Sequence, residues 1–348
     1  MKILAIDIGL GTEDILLYDS EKKIENCYKM VLPSPTQYFA QKVKAISEKN
    51  KNLILTGCVM GGGRVNMAVR KHLKGGGHVY ATPEAALTLK DNLEVVAEMG
   101  VELIKEADEV KGEVIKLSDI NIEQLNALFS LYGINLPENI AVAVQDHGFA
   151  PHISNRIRRF EIFEKILKRG GHFEDFCYIK PPADLNRMQA VAQTITSSGA
   201  KPFVMDTGAA AICGALLDPR AEQPAIQINA GNAHTLVSVV KKGCIVALFE
   251  HHTAKLTASK IDDYARRLSE GKLEFEEVFD DGGHGCYIHE AVGFKNIKTI
   301  LVTGPNREIM KNSKLPVMFA VPFGDMMLSG CFGLVDTWML KHSGRHLE

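Results

Sequence analysis

The feature that most constrains the fold of this chain is the strand that succeeds its first glycine turn. Ile3–Ile8 reads as a strand, Gly9–Gly11 as a turn, and Ile15–Tyr18 as a second strand. A glycine turn that led into a helix would suit a dinucleotide fold. Here a strand comes next, and Asp14 occupies the third glycine position of G-x-G-x-x-G, so that reading fails on both counts. A hairpin remains. A turn without side chains lets backbone N–H groups approach phosphate oxygens, and Asp7, at the end of the preceding strand, can hold Mg²⁺ through water. Taken alone, a plain glycine hairpin accounts for the motif equally well.

A second hairpin of the same construction recurs at Ile226–Ile228, Gly231 and Thr235–Val240, so two similarly built halves are expected. Between them, Cys27–Leu32 reads as a strand, Gln37–Ser47 as a helix and Leu53–Leu55 as a strand. The triple glycines Gly61–Gly63 and Gly75–Gly77 enclose a helix over Val65–Leu73, and the middle third reads as helix-rich, including Ile122–Leu131. Ile140–Val144 and Pro202–Met205 are strand-like, and the latter precedes a small-residue helix, Ala209–Leu216. Ile157, Phe160, Phe163, Ile166 and Leu167 recur at helical spacing. Arg156, Arg159, Lys165 and Arg169 are read as the solvated basic face of that helix.

With 348 residues and 46% hydrophobic content, the chain can fill more than one core. Forty basic against 42 acidic residues leave a net charge of -2, which gives no electrostatic argument for nucleic acid or an anionic membrane. Asp7 interrupts the first apolar run, no run approaches the ~20 residues of a membrane span, and a cytoplasmic protein is expected. The seven cysteines form an odd, scattered set without a C-x-x-C pair, which suits reduced thiols.

Five segments in order resemble the actin, hexokinase and heat-shock-chaperone superfamily. They are Asp7–Asp19, M-D-T-G-A-A-A-I-C-G-A-L (205–216), I-Q-I-N-A-G-N-A-H-T (226–235), I-L-V-T-G-P-N-R (300–307) and F-G-D-M-M-L-S-G-C-F-G-L (323–334). The resemblance implies an α/β, two-domain actin-like (ribonuclease H-like) ATPase fold with an interdomain cleft. Residues 1–216 would form the first domain with helical insertions, 217–321 the second, and 322–341 would return to the first. It implies ATP and Mg²⁺ as cofactors, with Asp7 and Asp206 toward the metal and as catalytic acids, and Asp146, near the expected small-molecule substrate, is a third catalytic candidate. Gly9, Gly11, Thr12, Asn229, Gly231, Asn232 and Thr235 would lie around the phosphates and Gly304 beside the adenosine. The departure is Asn229, which stands where the superfamily usually has an aspartate. An amide can ligate a metal but cannot act as a carboxylate base.

Within the superfamily, M-G-G-G (60–63), Q-D-H-G (145–148), F-E-H-H-T (249–253) and D-D-G-G-H-G (280–285) resemble a prokaryotic family, some members of which carry the label of pyruvate formate-lyase activating enzymes. A radical-SAM iron–sulfur site needs three closely spaced cysteines, and no C-x-x-x-C-x-x-C occurs. Gln145, His147, His251, His252 and His284 are expected on the substrate side, where the histidines with Asp146, Asp280 and Asp281 also suit a transition metal. A hydrogen-bonded structural role is the plainer reading of each single histidine. Three functions stand open: ATP-dependent phosphoryl transfer or hydrolysis on a small molecule, a nucleotide-responsive binding protein with little catalysis, or a metal-dependent acyl or carbamoyl transferase.

Overall fold

The computed structural model describes residues 1–347. The opening hairpin is formed by β1 (Lys2–Ile8) and β2 (Thr12–Asp19), and β3 (Tyr28–Pro33) extends it antiparallel. Residues 3–6 of β1 are fully buried, as expected of a central strand covered on both faces.

The chain then leaves this sheet and builds a second one from β4 (Leu53–Gly57), β5 (Val79–Ala81), β6 (Val101–Leu103) and β7 (Glu113–Leu117). These four strands are parallel in the order β6-β5-β4-β7, with a core of their own around Val43, Leu53, Leu55, Val69 and Ile115. The helical insertions expected here are therefore corrected to an α/β insertion. Two of its strands, β5 and β6, have three residues each, too short for a period-2 pattern to appear in the sequence.

Returning to the first sheet, β8 (Asn139–Val144) runs parallel to β1, β9 (Cys177–Tyr178) forms the far edge, and β10 (Lys201–Asp206) pairs parallel with β8. The second half contributes β11 (Ala225–Ala230), β12 (His234–Lys241), β13 (Cys244–His252), β14 (Gly285–Ile288), β15 (Thr299–Thr303) and β16 (Val317–Phe319). The two large sheets match. The run β3-β2-β1-β8-β10 corresponds to β13-β12-β11-β15-β16, each a three-stranded antiparallel meander with two parallel strands beyond it. This duplicated order is the two-domain actin-like α/β fold.

The helices Thr207–Ala215 and Ser329–Ser343 cross at small residues, and the second also packs on β1 and β8 of the first half. A Cβ at Gly214 would lie 1.7 Å from the Ser329 carbonyl oxygen, and one at Gly333 1.9 Å from that of Ala210. Only glycine permits this backbone contact. Among the described residues, no helix is long and apolar enough to cross a membrane.

Candidate functional site

The two glycine turns close in the same way. Gly9 N–H donates to the Thr12 carbonyl at 2.9 Å, and Gly231 N–H to that of His234 at 3.0 Å. Among the described residues, the next two N–H groups of each turn, on Leu10 and Gly11 and on Asn232 and Ala233, have no acceptor within the chain. The tips meet across the gap between the halves, since a Cβ at Gly11 would lie 2.2 Å from Asn232 Nδ2. Gly304 has φ +94°, and a Cβ there would fall 2.5 Å from the Ala230 carbonyl oxygen and 2.8 Å from Asn229 Oδ1. Asn306 Nδ2 donates to the Gly231 carbonyl at 2.9 Å, so the Gly304 loop lies against the second turn. Thr235 is buried and shares a hydroxyl–hydroxyl bond of 3.0 Å with Thr253, which donates to the Gly231 carbonyl at 2.8 Å. It braces the turn from behind rather than offering its hydroxyl to a ligand. Thr12 Oγ1 donates to Asp14 Oδ2 at 3.3 Å.

Asp7 ends beside these tips. Its Oδ1 accepts from Thr207 Oγ1 at 2.6 Å, and a Cβ at Gly330 would fall 1.9 Å from its Oδ2, so Gly330 makes the room for this carboxylate. Burial, aided by the nearby Asp206 and opposed by the Thr207 bond, pushes Asp7 up to about 7. Burial and the Asp7 charge push Asp14 up to about 8, and Asp14 Oδ1 has no hydrogen-bond partner. Glu13, half-buried and facing Asp119, rises to about 7 through desolvation and the Asp119 charge. Asp7 and Asp14, paired across the hairpin on one face of the sheet, thus lie together without a cationic partner, an arrangement a divalent ion would relieve.

Asp206 and Asp146 both make contacts to the scaffold. Asp206 caps the Thr207–Ala215 helix through the N–H groups of Gly208 (3.0 Å) and Ala209 (3.2 Å), while Oδ2 accepts from Arg159 Nη1 at 2.8 Å. Asp146 accepts from Gly148 N–H at 2.8 Å and Met188 N–H at 2.9 Å, fixing the loop after β8. Asp146 also lines the cavity between the halves.

Arg159 is the centre of a buried knot rather than part of a solvated basic face; it is 2% exposed, whereas Ile157 is 37% exposed. The helix Asn155–Lys168 buries Phe160, Phe163, Ile166 and Leu167 as expected, and Arg159 joins them on the buried face. Arg159 Nε and Nη2 clamp Glu250 at 2.6 and 2.9 Å, and Nη1 also donates to the Asp146 carbonyl at 3.0 Å. Glu250 Oε1 accepts from Gln145 Nε2 at 3.0 Å. Burial would raise the Glu250 carboxyl, but the Arg159 guanidinium outweighs it and holds the group well below the usual range.

Four histidines converge beside this knot. His147 lies just after β8, His234 begins β12, His252 ends β13 and His284 precedes β14. The ring centroids of His234 and His284 lie 4.6 Å apart, those of His234 and His252 4.9 Å, and those of His147 and His284 5.3 Å. One ring nitrogen from each of His147, His234 and His284 falls within 4.8 Å of the other two. Burial lowers all three of His147, His234 and His252, to about 3 for His234 and about 4 for His252, so their imidazoles are neutral. His284 Nδ1 lies 2.6 Å from Glu250 Oε2 but without hydrogen-bonding alignment.

His251 is not in this group, although it was expected there. Successive side chains of a strand point to opposite faces, and with His252 toward the cleft His251 points behind it, where Nε2 meets Asp281 Oδ2 at 2.9 Å. Asp281 is also held by Lys260 at 2.8 Å, so it too is withdrawn from the cleft. His234, within the quoted second hairpin but not singled out, takes the vacant place.

A cavity of about 400 Å³ joins the parts. Gly9, Leu10 and Thr207 line one side, Ala233, His234 and His252 another, and the Met60–Gly63 segment of the insertion closes a third. Arg187 reaches the same space, paired with Asp119 at 2.7 and 2.8 Å and bonded to the Gln145 carbonyl at 2.7 Å.

Duplicated sheets, opposed glycine tips and a cavity between the halves define a protein of the actin, hexokinase and heat-shock-chaperone superfamily. Within it, residues 60–309 match the family described as "Putative pyruvate format-lyase activating enzyme (DUF1786)", and the chain belongs to that family. The three converging residues of the cleft are histidines, and among the described residues no three cysteines converge in this manner. No curated protein matches the sequence. Among solved structures, the chain is similar to the ethanolamine utilization protein EutJ from Carboxydothermus hydrogenoformans, with 10% identity, 96% of this chain and 89% of that one covered, and a TM-score of 0.33. It is similar to the ROK hexokinase from Thermus thermophilus, with 12% identity, 99% and 100% covered, and a TM-score of 0.33. A third similar structure is the PPX-GPPA enzyme of Aquifex aeolicus, with 12% identity, 87% and 68% covered, and a TM-score of 0.27.

Proposed function

We propose that this protein is a nucleotide-dependent enzyme, an ATPase or small-molecule phosphotransferase. It would hold the phosphates of ATP with Mg²⁺ between the two hairpin tips and act on a small molecule in the adjoining cavity. The observation that carries the reading is the pair of identically closed turns, whose four unpartnered N–H groups meet across the cleft. Such groups cradle phosphate oxygens, and side chains on the turns would prevent the approach.

The nucleotide would supply the phosphoryl group and Mg²⁺ would neutralise its charge. On the protein's side, Asp7 loses its proton to face the cation, with Thr207 orienting the carboxylate. The N–H groups of Leu10, Gly11, Asn232 and Ala233 hold the phosphate oxygens, and Gly304 leaves space beside the second turn for the nucleoside. Arg187 and the Met60–Gly63 segment border the acceptor. A cavity of about 400 Å³ suits a small molecule. Seven unpaired thiols accord with a cytoplasmic setting.

A second reading, a nucleotide-responsive switch, draws support from the acids. Asn229 cannot act as a base, and Asp206 and Asp146 already accept hydrogen bonds from Arg159 and from Met188 N–H. Calorimetry with ATP and ADP, with and without Mg²⁺, together with a phosphate-release assay, separates the readings. Mg²⁺-dependent binding with turnover supports the enzyme, binding with negligible turnover supports the switch, and the absence of nucleotide binding by folded protein refutes both.

A further inference from the structure

We propose that His147, His234 and His284 form a binding site for one divalent transition metal of the zinc and iron(II) class, with a coordination position open to the cavity. This goes beyond the nucleotide reading, because the ligands are imidazoles rather than oxygen donors. Mg²⁺ prefers carboxylates, phosphates and water, whereas borderline ions prefer imidazole.

Three observations carry the site. First, the ring nitrogens lie within 4.8 Å of one another. In a tetrahedral site with metal–nitrogen bonds of about 2.0–2.1 Å the ligands sit about 3.3 Å apart, so each pair needs to close by at most about 1.5 Å. Side-chain torsions suffice for that. The three residues come from a loop and two strand ends that belong to different halves of the molecule, so binding would tie the halves together.

Second, the neighbourhood favours a cation. Arg159 carries one positive charge, while Glu250 and Asp206, both within hydrogen-bond distance of it, carry two negative ones, and all three are almost fully buried. A buried excess of one negative charge beside three imidazoles attracts a metal ion and would repel an anion.

Third, the ring of His284 is backed by a carboxylate, with Glu250 Oε2 2.6 Å from Nδ1. Metal-bound histidines commonly hold a carboxylate on the other ring nitrogen, which fixes the tautomer and aims the ligand atom. In this structure Nδ1 is buried without a hydrogen-bond partner because the ring is misaligned. A small rotation that brings Nε2 to the metal would also correct the Nδ1 contact. The open position faces the cavity lined by Gly9, Leu10 and Ala233, next to the hairpin tips, where water or a substrate oxygen could complete the coordination.

The test is a titration of chelator-treated, full-length protein with Co²⁺, read by visible absorption, with subsequent competition by Zn²⁺. The expected result is one saturable site with the strong absorption of low-coordinate cobalt, bleached by Zn²⁺. His234→Gln and His284→Gln should each weaken Co²⁺ binding by about 100-fold or more, beyond the roughly 10–100-fold typical of removing an outer partner. His342→Gln, on the exposed end of the last helix, should leave it unchanged. Circular dichroism checks that each variant is folded, and His147→Gln replaces any that is not. A wild-type protein without a saturable site overturns the proposal, as does binding that survives loss of His234 and His284 or disappears with His342→Gln.

Discussion

Replacing Arg159 by methionine keeps most of the side chain's volume and removes the charge at the centre of the buried knot. The guanidinium makes four contacts of 2.6 to 3.0 Å, two to Glu250 and one each to Asp206 and the Asp146 carbonyl. Removing one partner of a buried ion pair costs about 3–5 kcal/mol, because the remaining charge is left without compensation. Two carboxylates are stranded here, so Arg159→Met should lie at the upper end. In Arg159→Met/Glu250→Gln one stranded charge is gone, and about 1–3 kcal/mol should return. The pH dependence has a definite sign. In the native protein Glu250 is held well below 4.5, so its contribution is present above that value and lost only in strong acid. Without Arg159, burial prevails and raises Glu250, so the folded variant takes up a proton as the pH falls. Its deficit should therefore shrink between pH 7.5 and 5. Urea unfolding monitored by the fluorescence of Trp338, the single tryptophan, packed against the first-half core, measures both effects. A loss below about 1 kcal/mol, the worth of an exposed pair, would refute the argument. So would a deficit equal at the two pH values.

Three further outcomes can be measured. Asp7→Asn should stabilise the protein above pH 7. A carboxyl raised from 3.8 to about 7 contributes stability that is complete below 3.8 and lost as the pH rises through 7. The gain has an upper bound of about 4 kcal/mol, and melting temperatures that differ between the variant and the wild type by the same amount at pH 5 and pH 8 would contradict it. The same variant should lose Mg²⁺-dependent nucleotide binding, which calorimetry reads separately. Gly333→Ala should cost about 1–3 kcal/mol or more, because the added Cβ meets the Ala210 carbonyl oxygen at 1.9 Å and backbone cannot yield cheaply; an unchanged urea midpoint would show that the crossing is looser than described. Gly11→Ala meets only the end of the Asn232 side chain, so its melting temperature should change little while nucleotide affinity falls, and unaltered affinity would remove the hairpin tips from the site.

The duplicated hairpins and the glycine-bearing crossing helices are legible in the sequence because each depends on local chemistry, a turn or a small-residue face, that a single segment displays. Arg159 is not, because its charge argues for solvent while its position argues for the core. It stands four residues before Phe163 and seven before Ile166, on the apolar stripe of its own helix, and only the distant Glu250 and Asp206 make burial there tolerable. The histidines divide on strand alternation: His251 and His252 are adjacent and cannot both face the cleft. His234 carries a readable cue. It stands three residues after Gly231, as Thr12 stands three after Gly9, so superposing the hairpins sets it at the mouth of the turn. The α/β insertion leaves little trace, since its two shortest strands pair only with residues far along the chain.

The knot also limits how the cleft can open. Arg159, Asp206 and Asp146 belong to the first half, whereas Glu250 and His284 belong to the second. Arg156 reaches across in the same place, donating to the carbonyls of Phe279 at 3.0 Å and Gly283 at 2.6 Å. The halves are therefore latched beside the cavity and pinned again at the Gly214–Gly333 crossing. A rigid separation would have to break the Arg159–Glu250 clamp and both Arg156 bonds together. A ligand binding only through that state would lose affinity by the fraction of molecules that are open. Asn232, by contrast, touches Gly11 with the end of a side chain, and a change of rotamer parts the tips without disturbing either pin. On the proposed nucleotide reading, entry of a phosphate group between the hairpins would depend on the side chain of Asn232 rather than on a hinge opening of the whole molecule.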